Sequence, residues 1–216
     1  MPKGFIFDLD GVIVDTAKYH FKAWQSLAKN LQYNFTEEDN EQFKGVSRVR
    51  SLELLLEMAQ YKVTQEEKEH WLTEKNDHYL SLISNMNASE ILPGITEILT
   101  ALKAQKIPIA LGSASKNAKP ILEKVGLLSY FDVLVDGNEV AKAKPDPEVF
   151  LTAAKGLGVA PENCVVFEDA LAGVAAAKAA QMVCVAIGDP AILFKADHCF
   201  ASTAEITPSF VQSLIA

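Results

Sequence analysis

Short apolar runs that alternate with helical patterns constrain the fold of this chain more than any other feature. The runs are three to five residues long, at Gly4–Phe7, Ile107–Leu111, Val133–Val135, Cys164–Phe167 and Val183–Ile187. Strands of a parallel sheet are covered on both faces and therefore read as continuous apolar runs. Helical patterns stand between the later runs, at Ile95–Ala104, Ala118–Val125, Glu148–Leu157 and Gly173–Ala180. This alternation predicts an α/β fold with a doubly wound parallel sheet.

The segment that follows the first run breaks this alternation. It contains helical patterns and no convincing strand, at Lys18–Leu31, Glu37–Phe43, Val49–Gln60 and Gln65–Ile83. Thr36 and Thr64 precede two of these patterns, each with an acidic residue three positions later, which is the signature of a capping box. We therefore predict a catalytic core domain of residues 1–14 and 90–216, and an inserted α-helical cap domain of residues 15–89.

Composition restricts the class of protein and of partner. A net charge of -8 over 216 residues argues against a nucleic-acid partner, because nucleic acids require clustered Lys and Arg. Cys164, Cys184 and Cys199 lie in apolar runs without Cys-x-x-Cys spacing, which predicts reduced thiols. The N-terminus has no signal-peptide pattern and no stretch has the length of a membrane span. We expect a cytoplasmic monomer that binds neither membrane nor nucleic acid.

Acidic side chains follow two of the apolar runs. Asp8 directly follows the first run with Asp10 two residues on, and Glu168 and Asp169 follow the fourth run. Two carboxylates about 4 Å apart repel by roughly 4 kcal/mol at an effective dielectric near 20. Because the carboxyl ends of parallel strands meet at one edge, all four groups converge there. Mg²⁺, which prefers oxygen ligands, would compensate their negative charges. The alternative is that these acids are ordinary turn residues.

Two further segments at predicted strand ends are suited to an anion. The small residues from Gly112 to Asn117 follow the second run and open a helix, where backbone amides and the Ser113 hydroxyl can approach a phosphoryl group. An ordinary N-cap serine is the alternative. Lys144 precedes Pro145, which favours an extended chain and lets the lysine reach the same edge. A solvated surface lysine is the alternative there.

Taken in order, these four pieces resemble the haloacid-dehalogenase superfamily of phosphoryl-transfer enzymes over essentially the whole chain. They are DLDGV at residues 8–12, Ser113, Lys144 with Pro145, and Glu168-Asp169. The resemblance implies a Rossmann-like core with an inserted helical cap. It also implies that Asp8 is the nucleophile that forms an aspartyl phosphate and that Asp10 is the general acid and base.

The same resemblance implies the remaining parts of a phosphoryl-transfer site. Ser113 and Lys144 would hold the phosphoryl oxygens. One Mg²⁺ per chain would be held by Asp8, the backbone carbonyl of Asp10 and Asp169, with Glu168 as a candidate further ligand.

Residues of the predicted cap, with the stretch that opens the core helix after Ser113, narrow the resemblance to the phosphoglucomutases of that superfamily, which act on β-glucose phosphates. Thr16 and His20 follow the first motif and would support Asp10, with His20 coupling it to cap closure. The implied substrate-binding residues are Gly45, Val46, Ser47, Arg48, Lys75, Ser115, Lys116 and Asn117. Of these, Arg48 would bind the distal phosphate of the sugar, and Lys75 would contact sugar hydroxyls. The alternatives are a histidine on a helix face, a surface arginine and a solvated lysine.

The resemblance leads to one principal function and two rivals. The principal hypothesis is a phosphomutase that interconverts β-D-glucose 1-phosphate and D-glucose 6-phosphate, with β-glucose 1,6-bisphosphate as intermediate and activator. The rivals are a Mg²⁺-dependent phosphatase of small sugar phosphates and a non-catalytic phosphometabolite-binding module. Two residues depart from the pattern: Ala170 stands where relatives have a hydroxyl residue, and Gln181 where they have glycine. A Gln at a left-handed helix end costs about 1 kcal/mol.

Overall fold

A computed structural model describes residues 3–215. Within these residues the fold is built on a parallel sheet of six strands. The strands are β1 (Gly4–Phe7), β2 (Ile109–Gly112), β3 (Val133–Val135), β4 (Cys164–Glu168), β5 (Val183–Ile187) and β6 (His198–Phe200). They lie in the order β3-β2-β1-β4-β5-β6, and every neighbouring pair is parallel. The predicted α/β class and doubly wound parallel sheet are confirmed.

The strand order reverses at β1, and the position of this reversal determines where the candidate site lies. The chain builds outward from β1 through β2 to β3 and then crosses to the other side of β1 with β4. Phe7 pairs with Phe167, and the Asp8 amide donates to the Phe167 carbonyl at 3.0 Å. The residues after β1 and β4 therefore emerge side by side in the crevice where such sheets bind ligands.

Helices of the predicted cap segment follow β1. They are α1 (Ala17–Asn30), α2 (Glu37–Glu41), α3 (Arg48–Met58) and α4 (Gln65–Leu82). Both predicted capping boxes are formed, at Thr36 and Thr64. α3 begins at Arg48, one residue before the predicted start, because the Ser47 side chain accepts the Arg50 amide and caps the helix.

This helical segment has its own apolar cluster, which includes Trp24, Phe35, Leu52 and Leu55. Its two connections to the sheet run side by side: the Asp15 amide donates to the Glu90 carbonyl at 3.0 Å. The division into a core domain and a cap domain stays a prediction.

Five further helices cover the sheet within residues 3–215: α5 (Ile95–Ala104), α6 (Ala118–Val125), α7 (Glu148–Leu157), α8 (Leu171–Ala179) and α9 (Pro208–Ile215). Their apolar faces form one cluster on each side of the sheet. Gln181 has a φ of 61°, as the sequence predicted for a left-handed position after α8. No helix within residues 3–215 combines the length and apolarity that a membrane span needs.

Two elements, β6 and α9, were not predicted. β6 is a three-residue edge strand whose side chains are partly or largely exposed, so it lacks the continuous apolar run of a buried strand. It forms because β5 offers a free edge, with Val185 paired to His198.

Candidate active site

Lys144 joins two carboxylates at the strand ends. Its ammonium donates to Asp8 Oδ1 at 2.6 Å and to Glu168 Oε1 at 2.5 Å, and all three side chains are almost completely buried. Burial disfavours the charged ammonium, but Asp8 and Glu168 more than offset it and raise the pKa of Lys144. Lys144 is therefore a fixed positive charge beside Asp8.

Asp8 lies 4% exposed at the end of β1. Burial raises the pKa of Asp8 to about 7, against the lowering effect of Lys144, and the nearby charges of Glu168 and Asp10 add to the increase. One ammonium thus does not neutralise this group of acids, and a further cation would be needed to keep Asp8 ionised.

Both carboxylate oxygens of Glu168 accept hydrogen bonds. Its Oε1 accepts the Lys144 ammonium, and its Oε2 accepts the backbone amides of Asp169 and Ala170 at 2.9 Å each. The side chain is fully buried. Glu168 therefore holds Lys144 and the loop after β4, and its role as a further metal ligand stays a prediction.

Asp10 is held by the start of α1. Thr16 is the N-cap of this helix, yet its side chain makes no capping bond; its hydroxyl instead donates to Asp10 Oδ1. His20 Nε2 lies 3.8 Å from the same oxygen, too long for a direct hydrogen bond. Burial raises the pKa of Asp10, while the Thr16 hydrogen bond opposes that increase. The structure thus brings Thr16 and His20 to Asp10.

Lys75 contacts His20 and is not on a solvated helix face. The lysine is 3% exposed, and its ammonium lies 3.0 Å from His20 Nδ1 and 4.6 Å from the centre of the Trp24 ring. Burial, with a contribution from Arg48, lowers the pKa of Lys75 to about 7. Burial also lowers the pKa of His20, so its ring is neutral; with Nδ1 facing Lys75, Nε2 is left to direct a proton toward Asp10.

Asp169 fits a role in holding Mg²⁺. Burial raises the pKa of its carboxyl well above the usual value, with added effects of Glu168 and Asp8, and no residue within 3–215 donates a hydrogen bond to that carboxylate. It lies against Gly11, whose φ is 78° and where any side chain would overlap it.

No three His, Cys, Asp or Glu side chains within residues 3–215 form a ready metal cage. Mg²⁺ needs none, because it keeps several waters and takes one or two carboxylates. Asp8 and Asp169 with a backbone carbonyl match that demand.

A cavity of about 650 Å³ opens beside these acids and is the size of a small-ligand site. Arg48 lines it at the first turn of α3. The guanidinium is partly buried and has no ion pair or hydrogen bond among the described residues, and burial lowers its pKa. An unpartnered arginine at a cavity wall is suited to an anion. Gly45, Val46, Ser47 and Lys75 line the same cavity.

The loop after β2 forms another wall of the cavity. Ser113, Ser115, Lys116 and Asn117 all line it. Ser113 is 1% exposed, and its Oγ accepts the Ser115 amide at 3.1 Å. The Asn117 amide group donates to Asn76 Oδ1 at 3.1 Å, which connects the start of α6 to α4 across the cavity.

Gly45 packs directly on the start of α8. Its φ is 71°, and a Cβ atom there would lie 2.6 Å from the Ala170 Cβ. The two small residues allow the loop that precedes Arg48 to contact the loop that carries Asp169. Ala170, the first departure noted in the sequence, therefore lies at a close contact.

Residues 2–181 match the family of haloacid dehalogenase-like hydrolases. The chain belongs to this family. It is similar to a β-phosphoglucomutase from Bacillus subtilis, with 43% identity over 95% of this chain and 92% of the relative. It is also similar to a phosphorylated carbohydrates phosphatase from Thermotoga maritima, with 34% identity over 81% and 80% of the two chains. Dependence on Mg²⁺ is general among the phosphomutases of the family.

The fold is also similar to a solved β-phosphoglucomutase from Clostridium difficile. The two sequences are 42% identical, and the match covers 100% of this chain and 97% of the solved chain. The two structures superpose with a TM-score of 0.95. The chain is thus similar to β-phosphoglucomutases both in sequence and in fold.

Tyr79 and Asn76 line the cavity but were not assigned by sequence reasoning. Tyr79 lies four residues after Lys75 on α4, and positions i and i+4 share a helix face. That spacing is the signal that could have found Tyr79 once Lys75 was placed.

Proposed function

We propose that this chain is a phosphomutase that interconverts β-D-glucose 1-phosphate and D-glucose 6-phosphate. One observation carries the proposal: a single cavity is lined both by the carboxylates that can transfer a phosphoryl group and by an unpartnered arginine that can hold a second phosphate. A phosphatase needs the first set only, whereas a mutase must hold a bisphosphate in either orientation.

Asp8 is the proposed nucleophile. One of its oxygens attacks the phosphorus of a sugar phosphate or bisphosphate, so the Asp8–phosphorus bond forms as the phosphorus–sugar oxygen bond breaks. Lys144 is already within 2.6 Å of Asp8 and, with the Ser113 hydroxyl, stabilises charge on the phosphoryl oxygens. Asp8, Asp169 and the Asp10 carbonyl would hold Mg²⁺, which would supply further positive charge.

Asp10 is the proposed general acid and base. It gives its proton to the sugar oxygen that leaves, and in the reverse transfer it takes the proton from the sugar hydroxyl that attacks the phosphorus of the aspartyl phosphate. Thr16 holds one oxygen of Asp10, and His20 directs its ring proton to the same region.

Arg48 is the proposed anchor of the phosphate that is not being transferred. Ser115, Lys116 and Asn117 approach it from the sheet side, with the backbone of residues 45–47 beside Arg48. Lys75 would contact a sugar hydroxyl, its ammonium held by His20 and the aromatic rings. The close packing of Gly45 on Ala170 and the Asn76–Asn117 bond support a closed cavity that excludes water from the aspartyl phosphate.

A coupled assay tests this function. The protein is incubated with Mg²⁺ and β-glucose 1-phosphate with a trace of the 1,6-bisphosphate as activator, and glucose 6-phosphate and free phosphate are measured together. We expect fast glucose 6-phosphate formation with little free phosphate. Steady phosphate release without isomerisation would replace the mutase by the phosphatase alternative.

A further inference from the structure

The hydroxyl of Tyr79 is buried without a hydrogen-bond partner among the described residues. The residue is 1% exposed and lies on α4 at the wall of the cavity. An unpaired buried hydroxyl costs stability, and phenylalanine would fill the same space without that cost. A buried, unpaired hydroxyl in an active site indicates that it forms a hydrogen bond in the enzyme when substrate is bound.

The ring of Tyr79 is fixed in position. It stacks on the His20 ring with 4.2 Å between the ring centres. The Lys75 ammonium lies 4.9 Å from the centre of the Tyr79 ring. The hydroxyl therefore cannot turn toward water. Burial raises the pKa of the phenol well above the usual value, and the charge of Asp10 adds to the increase, whereas the nearby Thr16 side chain opposes it.

Thr16 has an unused acceptor. Its hydroxyl proton is donated to Asp10, and its Oγ1 accepts no amide of α1 although Thr16 occupies the N-cap position. A hydroxyl has one proton and two lone pairs, so Thr16 Oγ1 can still accept a bond. The residue is completely buried, which excludes bulk water as the donor.

We propose that Tyr79 is a positioning residue: its hydroxyl donates to Thr16 Oγ1 in the substrate-loaded enzyme and holds Asp10 through Thr16. The donation polarises the Thr16 hydroxyl and strengthens its bond to Asp10, because hydrogen bonds in a chain reinforce one another. α4 is thereby coupled to the acid and base that follows β1. The inference rests on the proposed function of Asp10.

The test is a double-mutant cycle of Tyr79→Phe and Thr16→Val. Each variant is assayed for kcat and KM with β-glucose 1-phosphate, Mg²⁺ and a trace of the bisphosphate, and its thermal unfolding midpoint is measured. Tyr130→Phe is the control, because that hydroxyl lies 3.2 Å from Thr100 Oγ1 on the surface.

We expect Tyr79→Phe to lower kcat by about 3- to 10-fold, the effect of one hydrogen bond, with KM unchanged and the unfolding midpoint equal or higher. In the Thr16→Val background the same change should leave kcat unaltered. In a Thr16→Ser background, which keeps the hydroxyl, the loss should reappear.

Three results would overturn the inference. They are a wild-type kcat in Tyr79→Phe, an equal loss with and without the Thr16 hydroxyl, and a change confined to KM, which would indicate a substrate contact. Should Thr16→Val not fold, the Tyr79→Phe kcat still decides. If the wild type only releases phosphate, the mutase proposal fails and the same comparison is made on that rate, since Asp10 would serve either reaction.

Discussion

Arg48 and Arg50 lie two residues apart at the start of α3 and have different surroundings. Arg48 lines the cavity and has no ion pair or hydrogen bond among the described residues. Arg50 is exposed, and its guanidinium lies 3.0 Å from Glu57 and 3.5 Å from Glu53. Comparing variants of the two residues distinguishes the effect of losing a cation in the cavity from that of losing an exposed cation on the same helix.

Arg48→Ala should lower kcat/KM for β-glucose 1-phosphate by about 10- to 100-fold, because one or two charge-assisted hydrogen bonds to phosphate are lost. The fraction of turnovers that release free phosphate should also rise, since the bisphosphate is held less firmly. Arg50→Ala should stay within about twofold of wild type, as expected for exposed ion pairs. Equal effects of the two variants would refute the role of Arg48.

Asp8→Asn should abolish both glucose 6-phosphate formation and phosphate release, by more than about 1,000-fold, because an amide cannot accept the phosphoryl group. Circular dichroism would establish that the variant folds. Unchanged turnover in a folded Asp8→Asn protein would return the chain to the non-catalytic class.

At the scale of elements, the loop before α3 and the start of α8 meet through Gly45 and Ala170. Gly126, at the end of α6, offers a matched comparison: its φ is 76°, close to the 71° of Gly45, but nothing lies within 4 Å of a Cβ atom there. The two glycines therefore share a left-handed backbone conformation, in which any other residue would be strained, and differ in the contact.

Gly126→Ala should lower the free energy of unfolding by about 1 kcal/mol and leave kcat/KM unchanged. Gly45→Ala should show a similar loss of stability and should also lower kcat/KM by about tenfold, because the new methyl group displaces the loop that precedes Arg48. Chemical denaturation and the coupled assay measure the two quantities. Wild-type kcat/KM in Gly45→Ala would show that the contact does not matter for turnover.

Across the whole molecule, acids from β1 and β4 meet around Lys144, and their charge balance links pH to metal binding. The pKa of Asp8 is raised to about 7 from an ordinary value of 3.8, so the folded chain binds this proton more tightly than the unfolded chain. Without metal, the contribution of Asp8 to stability therefore falls as pH rises from about 4 to about 7.

Mg²⁺ should raise the thermal unfolding midpoint more near pH 8 than near pH 5.5. Below about pH 7 the ion must displace a proton, and its apparent affinity falls about tenfold per pH unit for each proton displaced. Asp169→Asn should lose most of the Mg²⁺ effect at both pH values, with KCl at matched ionic strength as the control. An increase in midpoint that is independent of pH would contradict the raised pKa of Asp8.

Local patterns in the sequence were sufficient for β1 to β5 of the parallel sheet, for both capping boxes and for the candidate residues at the strand ends. Each depends on residues a few positions apart, such as an apolar run before Asp8 or Thr64 three residues before Glu67. The roles of those candidate residues stay predictions until the variants are assayed.

The tertiary structure alone decided what lies between the elements. Glu168 accepts a hydrogen bond from a lysine 24 residues away, and α1 and α4 bring His20 to a lysine 55 residues away. The unpaired hydroxyl of Tyr79 depends on the same packing. A local pattern determines which face of a helix is buried; which distant polar group lies against that face is determined only when the helices pack.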